Sequence, residues 1–271
     1  RNVFKAMSGN RPRQVTLAIG VQDTLFRQIE APLMPVPDLR QMLKFNAKSY
    51  LQQDLPNYVF DCCYAPSKNL PKAGDAPKPS GSIPKIKVMV GGIKRETLNA
   101  LQAAVRGAGL VADQVIPGVV GPSNAFEHAE PELFSRESIA LVDVGFKHTT
   151  ITIVDGGEIV LNRVVSIGGD RLTNGLSEAL KISYLEAENI KLGMPTEVQV
   201  ELEPLIQPLG RELRASLDFF EHQQDKTIAH VFLSGGTARS EFILQALQND
   251  LMVQCKTWNP AKNLQLALSP E

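Results

Sequence analysis

The sequence predicts an α/β fold, and three stretches predict it. The first is IALVDVGFKHTTITIVDGGEIVLNRVVSIGGD, residues 139–170, where three runs of Val, Ile and Thr in near alternation are separated by glycine-bearing bends. Such composition and period suit strands. The second is IAHVFLSGGTARSEFILQALQNDL, residues 228–251, which reads as an apolar strand, a Ser-Gly-Gly turn and an amphipathic helix. The third is residues 35–117, which read helix, strand, strand, helix, strand and are compact enough for a subdomain of their own.

Residues 14–19 and 24–31 are expected as strands around the turn Gly20-Val21-Gln22-Asp23. The residues before them read as the tail of a helix feeding a strand, and an N-terminal segment is expected to be missing. After PLMPVP, Asp38 is expected to cap a helix running to about Leu51, with Leu39, Met42, Leu43, Phe45 and Ala47 as its apolar stripe. Phe45 and Tyr50 are expected in the core. Residues 58–64 form a strand, and the Pro-, Gly- and Lys-rich residues 65–85 a long mobile loop. A strand at 86–91, a helix at 95–107, a strand at 111–116 and a short helix through GPSNAFEHA follow.

Beyond Asp170 the pattern turns helical. DRLTNGLSEAL ends before Lys181, and the next helix starts at a Ser183 cap with Glu186 in capping-box position and stops at Gly193. A long helix from about Glu201 places Leu202, Leu205, Ile206, Leu209, Leu213, Leu217 and Phe220 on one face, with Pro204 and Pro208 in its first turns. Val231, Phe232 and Leu233 are expected to be buried, Gly235-Gly236 to open a helix from Ala238, and VQCKTW to close as a strand.

At 271 residues the chain is long enough to bury a sizeable core, and 43% apolar with 21% charged residues is ordinary globular usage. A net charge of -1 gives no electrostatic argument for nucleic acid. No apolar run reaches the length of a membrane span. Cys62, Cys63 and Cys255 have neither metal-ligand spacing nor a disulfide framework, and they fit a reducing cytoplasm.

Three features fall at bends. In Asp143-Val144-Gly145, followed by Thr149-Thr150, the glycine lets backbone N–H groups turn inward toward an anion. An Asp there repels phosphate unless a cation intervenes, a need that hydrated Mg2+ meets. The alternative is a tight hairpin whose Asp bonds its own backbone. Ser234-Gly235-Gly236 sits where a helix start offers free amides. Glu188 and Lys191 are neighbours on one helix face, which is also the pattern of a plain ion pair.

In chain order, the Asp-x-Gly hairpin, Gly168-Gly169, the helix with Ala187-Glu188-Asn189-Ile190-Lys191 and the Ser-Gly-Gly turn resemble the second lobe of the actin, heat-shock chaperone and sugar-kinase superfamily. Within it, LVDVGFKHTTITIVDGGEIVLNRVVSIGGDRLTNGLSEALKISYLEAENIKLG is similar to the PilM family of type IV pilus assembly, a relative of the division protein FtsA. LGRELRASLDFFEHQ, VFLSGGTARSEFILQAL and DLRQMLKFNAKSYLQQDLPNYVFDCCY extend the resemblance over nearly the whole chain. It implies an actin-like (ribonuclease H-like) two-lobed ATPase fold with an inserted α+β subdomain. Residues 1–34 and 117–137 would be the first-lobe remnant, 35–116 the inserted, partner-binding subdomain, and 138–271 the second lobe, mainly helical over 170–228.

The resemblance also implies ATP and Mg2+ as ligands of the full-length protein. Asp143, Gly145, Thr149, Gly168, Gly169, Glu188, Lys191, Gly235 and Gly236 would be the nucleotide-binding set, with Asp143 reaching Mg2+ through water. It further implies a scaffold at the cytoplasmic face of the inner membrane. That scaffold would bind the cytoplasmic peptide of a PilN-like membrane protein in a groove between the strands of 14–31 and the 35–117 subdomain. Alternatives are a nucleotide-free type II secretion scaffold and a sugar-kinase-like phosphotransferase. The latter needs a catalytic Asp, where the linker supplies Glu127, His128 and Glu130 but no Asp. Any ATPase activity is expected to be slow.

Two departures stand out. Phe146-Lys147-His148 follows the Asp-x-Gly where the family carries small residues. The family's first Asp/Gly hairpin is also not found before Val15. A triphosphate gripped by one loop loses several charge-assisted hydrogen bonds, so this chain is expected to bind Mg-ATP weakly or not at all. Isothermal titration checks this, and micromolar binding would contradict it.

Overall fold

The computed structural model describes residues 14–53, 55–65, 85–193 and 195–265. The helical tail expected before Gln14 and nearly all of the loop expected at 65–85 lie outside these residues. The chain divides into two compact units that part between Val120 and Gly121.

In the first unit, β1 (Gln14–Ile19) pairs in parallel with β5 (Val111–Pro117). Between them in sequence lie β2 (Thr24–Pro32), α1 (Val36–Leu51), β3 (Tyr58–Tyr64), β4 (Lys85–Lys94) and α2 (Arg95–Gly107). The three strands make an antiparallel sheet ordered β2-β4-β3. Strand pairing therefore crosses the boundary expected at residues 34 and 35, since β2 joins the sheet of the following segment and β5 returns to β1. Ile29, Ala31, Leu39, Leu43, Leu51, Cys62, Val88 and Val90 form the core between α1 and this sheet.

Two expectations for α1 are corrected. Its N-cap is Pro35, and Asp38 lies in the first turn. Proline supplies the fixed φ and needs no amide there, while the carboxylate suits the positive helix end. Phe45 is 77% exposed rather than buried. At 100° per residue it lies about 200° around the helix from Leu43, so the period that buries Leu39 and Leu43 turns Phe45 outward. Tyr50 is half-buried against the core, as expected.

The second unit begins with α3 (Gly121–Ala129) and α4 (Pro131–Arg136). Its five-stranded sheet is ordered β10-β9-β6-β7-β8, from β6 (Ser138–Val144), β7 (Thr149–Asp155), β8 (Glu158–Val165), β9 (His230–Ser234) and β10 (Cys255–Thr257). β6, β7 and β8 are consecutive antiparallel strands, while β9 adds in parallel to β6 and β10 to β9. β6 is central and covered on both faces, which explains its unbroken apolar run. Ala140, Val142 and Val144 pack with the long helix α7 (Gln199–Gln224), while Ile139 and Leu141 pack with Phe126, Phe134 and Phe232.

Helices α5 (Gly169–Leu180), α6 (Tyr184–Gly193) and α8 (Glu241–Leu251) complete the unit. Leu202, Ile206, Leu209, Leu213, Leu217 and Phe220 of α7 are buried as the period requires. Pro204 and Pro208 are accommodated inside the helix, with Pro204 facing water. Cys255 is buried, and burial pushes its thiol up to about 11, so it is an inert core residue.

Leu213 is fully buried between α7 and the sheet. Leu213→Ala is expected to cost about 2–5 kcal/mol of stability, read as a lower urea midpoint with unchanged slope.

Candidate functional site

The β6–β7 hairpin closes through a hydrogen bond from the Gly145 amide to the His148 carbonyl, 3.0 Å. Asp143, near the end of β6, sits between Thr150 of β7 and Ser234 of β9. Its Oδ1 accepts from the Ser234 hydroxyl at 2.9 Å. Directly after β9, Gly235 takes φ +94°, and a Cβ there would lie 2.3 Å from the Val144 carbonyl oxygen. Only glycine permits both that conformation and that approach. Gly236 faces open space.

The glycine turn does not lead straight into a helix from Ala238. A 3-10 turn, Thr237–Arg239, intervenes, and α8 begins at Glu241. The Ser240 amide bonds the Thr237 carbonyl, and Ser240 then takes extended dihedrals that restart the helix.

Gly168 and Gly169 serve as a joint between elements. The amides of Gly169 and Asp170 donate to the carbonyls of Gly145 (3.0 Å) and Phe146 (2.8 Å). A Cβ on Gly168 would meet the Phe146 oxygen at 2.4 Å. The start of α5 thus turns its first amides onto the hairpin, and Gly168 and Gly169, expected in the nucleotide-binding set, pack this joint. Thr149, expected in the same set, sits inside the hairpin. It is fully buried, and its hydroxyl donates to the Ile167 carbonyl at 2.6 Å, bracing the hairpin from inside.

On α6 the expected capping box is present, with the Ser183 amide donating to Glu186 Oε2 at 2.9 Å and the Glu186 amide to Ser183 Oγ at 3.3 Å. The Ser183 hydroxyl, which donates to Glu186 Oε2 at 2.7 Å, and then the Ser183 amide hold the exposed Glu186 carboxyl below its usual range. Lys191 is only 2% exposed. Its ammonium donates to Glu188 Oε2 (2.7 Å), Thr173 Oγ1 (2.7 Å) and the Gly169 carbonyl (3.3 Å). That accounts for all three of its hydrogens. Glu188 Oε2 also accepts from the Thr173 hydroxyl. Burial works against the Glu188 charge, yet the hydrogen bonds from Lys191 and Thr173 prevail and hold its carboxyl below the ordinary value.

Gly169 is where these parts meet. A Cβ on it would lie 2.5 Å from Thr237 Oγ1, 3.6 Å from Lys191 Nζ and 3.8 Å from the Gly145 oxygen. The structure thus brings Asp143, Gly145, Gly168, Gly169, Glu188, Lys191 and Gly235 into one interlocked cluster, with Thr149 beneath it. Gly235 and Gly236 also line an open depression of about 980 Å³ with Ser234, Arg239, Gln245 and Trp258.

The sequence reading missed Thr173, Thr237, Arg239 and Trp258. Thr173 carried a weak signal, standing one helical turn after Gly169. Asp143 Oδ2 has no partner among the described residues, and one carboxylate with a free oxygen fits a water-mediated Mg2+ contact. Among the described residues no group of three or more His, Cys, Asp or Glu could ligate a metal directly. Lys191, saturated inside the fold, does not fit the role of a nucleotide ligand in this conformation.

A hairpin-bearing sheet, a glycine turn and a helical layer joined in this way define an actin-like fold. The structure of MreB5 of Spiroplasma citri bound to ADP superposes with a TM-score of 0.50 at 14% identity, covering 63% of each chain. A solved PilM-PilN type IV pilus biogenesis complex gives a TM-score of 0.78 at 22% identity, covering 95% of this chain and 73% of that one. The cell division protein FtsA of Bacillus subtilis (strain 168) is 29% identical over 103 residues, 38% of this chain but 22% of FtsA, so the match spans about a fifth of that relative. The family model described as type IV pilus assembly protein PilM matches residues 1–269, and the chain belongs to that family. No helix among the described residues is long and apolar enough to cross a membrane.

Lys191→Met should leave the half-buried Glu188 without its cation and cost about 3 kcal/mol, the low end for breaking a buried pair because Glu188 can partly rehydrate. A complementary expectation follows from the lowered Glu188 carboxyl. Its contribution is complete above the unfolded value of about 4.3 and disappears as pH falls through the lower folded value. The stability gap between wild type and Glu188→Gln should therefore be widest above the unfolded value and narrow as pH falls below it. A gap that widens on acidification contradicts the assignment.

Proposed function

We propose that this chain is an actin-like scaffold of type IV pilus assembly that holds the N-terminal cytoplasmic peptide of a PilN-like inner-membrane protein. That partner would keep it peripheral at the cytoplasmic face of the inner membrane. Membership of the PilM family across residues 1–269 carries the reading. A cleft in the first unit supports it. The cleft, of about 320 Å³, is lined by Ile19, Phe60, Gly91, Gly92, Gln102 and Val115 among others. It lies among β1, β3, β4, β5 and α2, the region expected to form the peptide groove. Gly92 on β4 leaves room for the Phe60 ring, which a Cβ there would meet at 2.8 Å, and β3 is an edge strand of its sheet among the described residues. An apolar trough with a few polar groups beside an open strand edge suits an extended peptide, which would gain backbone pairing and side-chain pockets together.

ATP and Mg2+ belong to this proposal for the full-length protein. Asp143 would hold the hydrated metal, and Gly235 and Gly236 would let phosphates approach the backbone. Bound nucleotide would bias the geometry of the scaffold, with hydrolysis slow at most. One observation favours a second reading, a nucleotide-free scaffold of a type II secretion system. The Lys191 ammonium and the first amides of α5 are already engaged within the protein.

Fluorescence anisotropy with the labelled N-terminal peptide of the PilN-like protein from the same source tests the leading reading. Wild type should bind saturably. Val59→Arg, which places a charge in the cleft, should weaken binding at least about 10-fold with an unchanged circular dichroism spectrum. Absent binding, or binding indifferent to Val59→Arg, contradicts it.

A further inference from the structure

Two exposed helix faces are not used by the peptide cleft or the glycine cluster. On α1, Phe45 is 77% exposed and the Lys44 ammonium lies 5.9 Å from its ring centroid. Lys44 and Lys48 are both exposed on the same helix, Lys48 beyond a kink at Asn46, and its third basic residue, Arg40, is paired with Asp61 of β3. On α6, Leu185 is 69% and Leu192 49% exposed. Seven residues apart, they stand in one line along the helix, opposite Ala187 and Lys191. Glu186 and Glu188 flank that line on either side. Residues 170–203 contain seven carboxylates and three basic residues, and the one on α6, Lys191, is buried.

One face is thus apolar and basic, the other apolar and acidic. We infer that the α1 face of one copy of this chain docks on the α6 face of a second copy. Phe45 would lie along Leu185 and Leu192, with Lys44 and Lys48 against the carboxylates. Opposite charge around an apolar centre sets register and discourages wrong partners. A membrane is the weaker occupant for α1, because one aromatic ring and two lysines fall short of the combined signals that stable membrane attachment requires.

The contact joins two different patches, so each copy both offers and receives one, and the association is heterologous. Helices of 16 and 10 residues bury less than a standard interface of roughly 1,200–2,000 Å². The contact is therefore weak in dilute solution and strengthened wherever partners hold many copies close together.

Sedimentation velocity over a concentration series tests this with wild type, Phe45→Ala and the double variant Leu185→Ala/Leu192→Ala. All three side chains are exposed, and alanine favours a helix, so folding is expected to be retained. Wild type should self-associate with a dissociation constant on the order of 0.1–1 mM, more weakly at high salt. Each variant alone should lose at least about 10-fold in association. A 1:1 mixture of the two should recover a dimer, since each supplies the face the other lacks. The proposal is overturned by a wild type that stays monomeric, by a variant that associates like wild type, or by a mixture that fails to recover. It is also overturned if monomeric wild type cosediments with anionic phosphatidylglycerol vesicles and Phe45→Ala abolishes that, because α1 is then a lipid-facing surface.

Discussion

The second unit is organised around a single ammonium group withdrawn from water. A buried lysine is tolerable only when a counter-charge and acceptors for all its hydrogens surround it, and Lys191 has Glu188, Thr173 and the Gly169 carbonyl. Those three acceptors lie on α5 and α6, so the charge fastens one helix to the other. The α5 end is fastened in turn to the β6–β7 hairpin by the amides of Gly169 and Asp170. Gly235 closes the set by passing against the Val144 peptide. Hairpin, helix start and glycine turn therefore hold one another in place.

This gives the glycines distinct physical reasons. Gly235 is needed for its left-handed φ and for a close backbone approach, while Gly168 is needed because hairpin carbonyls occupy the space a Cβ would take. The sequence motif is the same pair of letters in both places. One pair faces the fold's interior joint, and the other borders the depression beside Arg239 and Trp258. A ligand arriving at the hairpin would meet Asp143 and the Gly235 turn, with Lys191 already occupied behind them.

Much of this was legible in the residues. The strands of 138–165 announced themselves because β-branched residues alternate along them. The start of α6 was legible because Ser183 and Glu186 satisfy each other's backbone amides locally. The buried line of α7 followed from its period. What depended on distant partners was not legible. Nothing near Gln14 says that β1 pairs with a strand some hundred residues later, and nothing near Thr237 says that its hydroxyl abuts Gly169. Phe45 has the apolar character of a core residue, but its angle on the helix turns it to water. Asp38 was misplaced because Pro35 and Pro37 had already set the helix start.

The central claim is that Lys191 is a charged, fully hydrogen-bonded pin inside the fold. Nuclear magnetic resonance of the 15N-labelled lysine ammonium groups measures this directly. The account predicts one resolved ammonium signal, assigned to Lys191 by its disappearance in Lys191→Met, whose protons exchange with water much more slowly than those of exposed lysines. A Lys191 signal that exchanges as fast as the rest would mean that the ammonium stands in solvent, and would contradict the account.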